Sequence, residues 1–475
     1  MDAFLPPPLE IPVRNWLDAQ ALHHGIPVNS GRLVIGLVLS CLVAPFTHLV
    51  HGLTARHLCN VVLGMSLAIF AFDWMVIHSF LPTLLTYVIL HVAPRSMVGT
   101  IVAIMTFAHL IYSHILREYY GADIIWDCAQ MVLTLKLVGT AISYGDGALP
   151  AAAKTPAMLR NQLLAVPSLL ELFGYVYFFP SFLVGPVFEF SDYTAWVEAN
   201  RIAPVVVVLR NLGFLVLSIA GYVLSQMYFP IGQVTASTFY PTLPAWARWL
   251  MQLGCVGMYK YTFFMVWQFG ELGGVLAGYG YNPATKDWDG LRNNNIFLVE
   301  VPTSTRVMIN NWNIKVAAWL NTYVYQRVGL TKDGKPTAVS TFASFLVSAL
   351  WHGLLPGYYF FFIFMGLTLE VGRQMRRRVR ATFHYTEDRN GHPHAIFTEY
   401  FDSSKAHPLA LLYDVAGVLL AHFFTNYFGM AFANNNMQTF LAVWSTVYYI
   451  PHVFILCLFV VFSLTEPKKP KAKTG

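Results

Sequence analysis

Of the 475 residues, 56% are hydrophobic and only 11% are charged, giving a mean hydropathy of +0.52, where a soluble domain carries about 25% charged residues. That deficit excludes a soluble enzyme of two or three linked domains and favours one membrane-embedded domain over residues 1–475, with an N-terminal segment at 1–31 and a basic tail at 466–475. The net charge of +6 does not point to nucleic acid in such a chain, because basic residues gather in cytosolic loops and meet anionic lipid headgroups.

The first 30 residues hold Pro6, Pro7, Pro8 and Pro12 without the apolar stretch of a cleavable signal, so insertion is expected to begin with a span near Arg32. A span needs about 20 mostly apolar residues. Candidate runs lie at 32–51, 58–73, 75–93, 98–116, 124–143, 164–185, 204–228, 244–268, 338–353, 356–371, 408–428 and 437–464, about eleven or twelve in all. Pro180, Gly185 and Pro356 interrupt these runs. Breaks of that kind are tolerated where protein re-satisfies the backbone or where they line a cavity. Cys41, Cys59, Cys128, Cys255 and Cys457 are scattered, mostly in apolar runs, and read as small buried hydrophobes rather than zinc ligands or a disulfide framework.

The arginine cluster at 372–380 and Lys468, Lys469, Lys471 and Lys473 of the tail should both face the cytosol by the positive-inside rule. Two spans lie between them, which returns the chain to the same side. Lys471 and Lys473, fifth and third from the end, resemble a dilysine retrieval signal for the endoplasmic reticulum; an ordinary solvated tail is the plainer alternative. The segment 282–337 is polar for this chain, and within it Trp312, Val316, Trp319, Leu320 and Tyr323 recur at helical steps on one face. This suggests a helix buried in protein or lying along the interface.

Two residues stand out as candidates for chemistry. His352 ends an apolar run, followed by Gly353 and Pro356-Gly357; intramembrane ionisable residues tend to mark functional sites, and histidine is the usual proton acceptor near neutral pH. By position alone a satisfied core histidine is the simpler reading, since the chain has 16 histidines. Asn313, in Trp312-Asn313-Ile314-Lys315-Val316, offers an amide that can donate to an oxyanion or simply join two helices.

Together the segments change this balance. Trp312-Asn313-x-x-Val316-x-x-Trp319-Leu320, Tyr323-Val324-Tyr325-x-Arg327 and Ala349-Leu350-Trp351-His352-Gly353-x-x-Pro356-Gly357-Tyr358 resemble the lysophospholipid acyltransferase branch of the membrane-bound O-acyltransferase (MBOAT) family. Asn313 and His352 are 39 residues apart, in keeping with that branch. Further matches in the same order are Asp127-x-x-Gln130 through Leu137, Phe178 through Pro186 with Asp192-Tyr193, Tyr259-Lys260-Tyr261, Trp288 through Asn293, and Glu300. The wording is most similar to the fungal broad-specificity enzymes.

The resemblance implies an all-α polytopic membrane fold of about eleven transmembrane helices around an intramembrane reaction chamber. It implies acyl-CoA as co-substrate and no cofactor. The activity expected is acyl transfer to the sn-2 hydroxyl of a lysophospholipid, with His352 as base and Asn313 as oxyanion or hydroxyl partner. Asp127 and Glu300 are expected to orient His352 or hold packing. Trp312 is a motif residue expected to support the site. Arg292, Arg306, Lys136 and Lys260 are expected to meet CoA or lipid phosphates, with structural ion pairs as the alternative. No cluster with metal-ligand spacing appears and the chemistry needs none. Two other readings are a family member with a diacylglycerol, sterol or protein acceptor, and a transporter. The Phe-Tyr-x-Asp-Trp-Trp-Asn run of the sterol and diacylglycerol branch is absent, and no internal repeat of the transporter kind is visible.

Overall fold

The computed structural model describes residues 9–122, 126–235, 243–331, 333–379 and 408–465. The basic tail at 466–475 and Arg380 of the arginine cluster lie outside them. Among the described residues the chain is helical, with two isolated bridges, Asn282 to Asp287 and Leu330 to Pro336, and no strand.

The elements run as follows: α1 (Pro12–His23), α2 (Val28–Val43), α3 (Leu53–Phe72), α4 (Ile77–Val92), α5 (Val98–Tyr120), α6 (Asp127–Asp146), α7 (Pro156–Asn161), α8 (Leu169–Val176), α9 (Phe190–Ala199) and α10 (Val205–Tyr228). They continue with α11 (Ile231–Thr235), α12 (Ala245–Leu276), α13 (Ile296–Glu300), α14 (Thr305–Asn311), α15 (Ile314–Leu320), α16 (Ala338–His352), α17 (Pro356–Arg378), α18 (Pro408–Ala433), α19 (Met437–Ser445) and α20 (Ile450–Leu464). Sequence punctuation explains many boundaries. α5 stops where Gly121 turns left-handed and its amide bonds Leu116 O, a conformation glycine adopts without steric cost. α8 opens on a reciprocal Ser168–Glu171 capping box. α16 stops at Gly353, and Pro356 starts α17 at its first turn, where a missing N–H costs nothing.

These helices form two compact units from interleaved segments. One takes the described residues of Met1–Tyr222, Tyr261–Asn294 and Asn313–Leu354; the other takes those of Val223–Lys260, Asn295–Trp312 and Leu355–Gly475. In the first unit α5 and α6 pack along each other, and Tyr175, Phe178, Phe188 and Tyr193 make an aromatic core. In the second, α17, α18 and α20 pack together around Phe364, Phe428, Tyr427 and Trp444, whose indole N–H donates to Tyr427 O at 3.1 Å.

Five helical stretches among the described residues are long and apolar enough to cross a membrane: Val28–Leu49, Leu53–Val92, Val98–Tyr120, Val205–Val234 and Leu412–Ala433. The pair Met437–Ser445 and Ile450–Leu464, bent by 84°, makes a sixth if it is one span. The polytopic all-α class stands, but fewer stretches qualify than the eleven or twelve runs in the sequence. Leu53–Val92 takes in two of them. The run at 164–185 is helical only over α8 before the chain turns irregular at Pro180. α16 has only 15 residues, and α12 mixes Arg248, Gln252, Lys260, Gln268 and Glu271 into its apolar residues. In α6, 15 of 20 residues are buried, so this helix meets protein rather than lipid on nearly every side. A helix buried all round carries no amphipathic signature.

Candidate active site

α6 organises the first unit's polar interior. Its Asp127 carboxylate pairs with Arg117. Met131 O accepts the Trp351 indole N–H at 2.9 Å, and Leu135 O accepts the Trp319 indole N–H, also at 2.9 Å. Ser143 Oγ and the Tyr323 hydroxyl lie 2.9 Å apart, and Asp146 takes a bidentate pair from Arg327 at 2.9 and 2.7 Å. Positions 127, 131, 135 and 143 follow an every-fourth-residue ridge that winds slowly around the helix. The remaining ridge position is Gly139, where a Cβ would lie 3.2 Å from Trp319 Nε1 and 3.5 Å from the Tyr323 ring. Only a bare backbone leaves room for those two rings. The two segments singled out in the sequence are thereby fastened to one helix: Met131 and Leu135 are one turn apart, a rise of about 6 Å.

The turn that carries His352 is gripped by the end of α5. Arg117 Nη2 donates to His114 Nδ1 at 3.2 Å, so that nitrogen accepts. The proton then sits on His114 Nε2, which donates to Trp351 O at 3.2 Å. Arg117 Nη2 reaches His352 O at 3.4 Å, and Glu118 Oε2 accepts the Leu354 amide at 2.9 Å. Arg117 itself is braced by Glu118 at 3.0 Å and by Asp127. Three side chains of one helical turn thus hold backbone atoms of residues 351, 352 and 354. The His352 ring stands edge-on to Trp351 with centroids 4.7 Å apart and keeps part of its surface accessible. Asp127 acts on this turn through Arg117 rather than from beside the imidazole.

Asn313 occupies the left-handed region at φ 46°, ψ 52° and caps α15 without using its side chain. Asparagine tolerates this conformation better than most residues. Its amide makes no hydrogen bond to any described residue. The first free amides of α15 are satisfied from elsewhere: Ile314 N donates to Asn293 O at 2.7 Å and Lys315 N to Asn293 Oδ1 at 3.1 Å. Past Trp319 the helix widens into a π-turn over Asn321–Tyr325, a form often found at functional sites. There Tyr323 donates to Glu189 Oε2 at 2.6 Å, which leaves Ser143 as the donor to the tyrosine oxygen.

The other sequence candidates divide between the units. In the first, Lys136 is buried: its ammonium donates to Tyr175 O at 2.9 Å and faces the Phe188 and Tyr175 rings at 4.4 and 4.8 Å. Arg292 reaches Asp287 at 3.4 Å, alongside the Arg210 guanidinium at 3.0 Å. Burial alone would push the Asp287 carboxyl up, but the Arg210 hydrogen bond, the Trp288 amide and both positive charges outweigh it and hold the group below the usual carboxylate range. In the second unit, Lys260 and Glu300 form an ion pair at 2.7 Å, and Glu300 O is bonded by His422 Nε2 at 2.8 Å. Trp312 ends α14, and Arg306 is exposed on the same helix. Both Asn313 and His352 belong to the first unit, whereas Glu300, Lys260, Arg306 and Trp312 belong to the second.

Sequence reasoning passed over His114, Arg117, Glu118, Glu271 and Asn293. The first four had a usable signal, because ionisable residues near or inside apolar runs are expensive and tend to have a task. Asn293 had none, being one of three consecutive asparagines.

A polytopic helical protein with an accessible histidine and an unengaged asparagine amide fastened to one buried helix has the parts for acyl transfer within a membrane. Residues 111–394 match the model of MBOAT, the membrane-bound O-acyltransferase family, and the chain belongs to that family of O-acyltransferases. It is 28% identical over 404 residues to the "Lysophospholipid acyltransferase" of Schizosaccharomyces pombe, covering 80% of this chain and 75% of that one. It is 26% identical to "Lysophospholipid acyltransferase 2" of Arabidopsis thaliana, over 96% of this chain and 98% of that one. It is 27% identical to "Membrane-bound glycerophospholipid O-acyltransferase 1" of Homo sapiens, over 95% and 91%.

Proposed function

We propose that this chain is an acyl-CoA-dependent lysophospholipid O-acyltransferase that esterifies the free sn-2 hydroxyl, working in the endoplasmic reticulum membrane with its C-terminus in the cytosol. The observation that carries the chemistry is the fastening of the His352 and Asn313 segments to α6 one turn apart. The lipid acceptor rests on relatives whose names specify lysophospholipid or glycerophospholipid acylation.

An alcohol is too weak an acid to attack unaided. His352 takes the hydroxyl proton as the oxygen adds to the thioester carbonyl, a form of help that contributes roughly 10²–10⁴-fold. The tetrahedral intermediate places negative charge on the former carbonyl oxygen, and the Asn313 amide donates to it. Collapse breaks the C–S bond. The thiolate leaves with the proton that His352 received, giving phospholipid and free CoA. The thioester is already activated, so no cysteine or serine nucleophile is required.

The test is purified protein in detergent with acyl-CoA and lysophosphatidylcholine, -ethanolamine, -serine, -inositol or lysophosphatidic acid, following release of free thiol. Transfer to several headgroups is expected, because a lysolipid entering sideways keeps its headgroup in the wet interface, where the site cannot strongly discriminate. No thiol release with any lysolipid, or equal rates with free fatty acid, would overturn the proposal.

A further inference from the structure

Helix α15 is capped in an unusual way. Asparagine is among the best N-cap residues because its side-chain oxygen accepts an amide of the first turn. Two other asparagines here do this: Asn295 accepts Leu298 N at 3.3 Å and Asn436 accepts Thr439 N at 3.2 Å. Asn313, at the same position on α15, does not. The task falls to Asn293, in the loop after α12, whose backbone and side-chain oxygens hold the Ile314 and Lys315 amides. Asn293 is itself fixed, since its own N–H donates to Glu271 Oε1 at 2.7 Å. Gln268 braces that carboxylate at 3.3 Å and Asn294 Oδ1 at 2.8 Å. Asn293, Glu271 and Gln268 are all buried, at 1%, 5% and 2% exposure.

From this geometry we infer that Asn293, seated on Glu271, is a positioning residue that holds the Asn313 backbone left-handed and releases the Asn313 amide from capping, so that it faces the reacting group. A left-handed non-glycine residue persists only where its surroundings over-determine it, and the two oxygens of Asn293 supply that constraint. The inference rests on the acyl transfer proposed above.

The experiment compares wild type, Asn293→Ala, Asn313→Ala and the double variant in detergent. It uses acyl-CoA turnover with lysophosphatidylcholine and hydrogen–deuterium exchange across 313–320. Asn293→Ala should lower kcat about 10- to 100-fold, as expected for an ångström-scale misplacement, with KM for acyl-CoA within about twofold. Added to Asn313→Ala it should cost less than about threefold more, because residues acting through one another are not additive. Exchange at 313–320 should quicken. Glu271→Gln, which keeps an acceptor for the Asn293 amide, should stay within about threefold of wild type, while Glu271→Leu should match Asn293→Ala. If Asn293→Ala does not accumulate, Asn293→Ser serves, since its shorter side chain cannot reach the Lys315 amide. Unchanged kcat, unchanged exchange, or multiplicative losses in the double variant would overturn the inference. A wild-type chain that transfers no acyl group would instead sink the proposed function, and the exchange data would still report whether Asn293 holds this turn.

Discussion

Trp351 and Trp319 donate their indole N–H groups to Met131 and Leu135, carbonyls one turn apart on the same helix. Each carbonyl lies within α6 and has a second lone pair to give, so the arrangement leaves the helix ladder intact. The tryptophans adjoin or follow closely the residues assigned to catalysis, and the spacing of the two segments is therefore set by the helical repeat rather than by a flexible loop.

His352→Ala should abolish acyl transfer, with a loss of at least about 10²-fold where general-base help contributes 10²–10⁴. Expression and the detergent unfolding midpoint should stay near wild type, because the contacts that hold this turn go to its backbone. Turnover within tenfold of wild type would remove His352 from the mechanism.

Asn313→Ala should lower kcat and kcat/KM together, by about 10²–10³ as for loss of an oxyanion donor. A rise in KM alone would make Asn313 a binding residue. Asn313→Gly separates chemistry from backbone: it should lose as much turnover but unfold at a higher temperature than Asn313→Ala, because glycine enters φ 46° without the strain alanine meets there.

Arg117→Ala should be costly in a different way. It strips the guanidinium from Asp127 and Glu118, whose side chains are 6% and 2% exposed. Removing one partner of a buried pair costs about 3–5 kcal/mol, and the lower end is expected because Arg117 is 31% exposed. Equilibrium unfolding in mild detergent measures this. Stability within about 0.5 kcal/mol of wild type would show that the pairs contribute little.

Glycosylation acceptors placed after Arg378 and at the C-terminus should both stay unmodified. Both sites adjoin clusters of arginine or lysine, which the positive-inside rule keeps in the cytosol, and α18 and the bent α19–α20 pair return the chain to its starting side. Modification of one site alone would mean that α19 and α20 do not cross together.

The apolar runs of α2, α3, α4, α5, α10 and α18 were legible in the sequence because these helices present large apolar side chains outward, as at Val206, Leu209, Val216 and Leu224 of α10. α6 was read as one more span, since a run such as Met131 through Val138 looks the same whether lipid or protein covers it. His352 and Asn313 could be found because helix-breaking residues and a family-like order surround them. The grip of His114, Arg117 and Glu118 could not, because it falls on main-chain atoms more than 230 residues away, and backbone acceptors leave no trace in residue identity. For the same reason Asn293 passed as ordinary loop asparagine: its partners are the amides of Ile314 and Lys315, which any two residues would offer.

The burial of α6 also bears on how the protein is made. Asp127, Lys136 and Asp146 lie within it at 4%, 1% and 5% exposure, and each charged residue at the centre of a lone inserting helix is opposed by about 2.5–3.5 kcal/mol. This segment does not partition into lipid by itself as it leaves the ribosome. Arg117 reaches it early, from the preceding helix, but Arg327 is synthesised 181 residues after Asp146. Until then Asp146 has to wait in water, in the insertion machinery or beside a chaperone. The helix that anchors both candidate catalytic segments is thus among the last to settle, and a chain truncated before Arg327 would expose it to quality control.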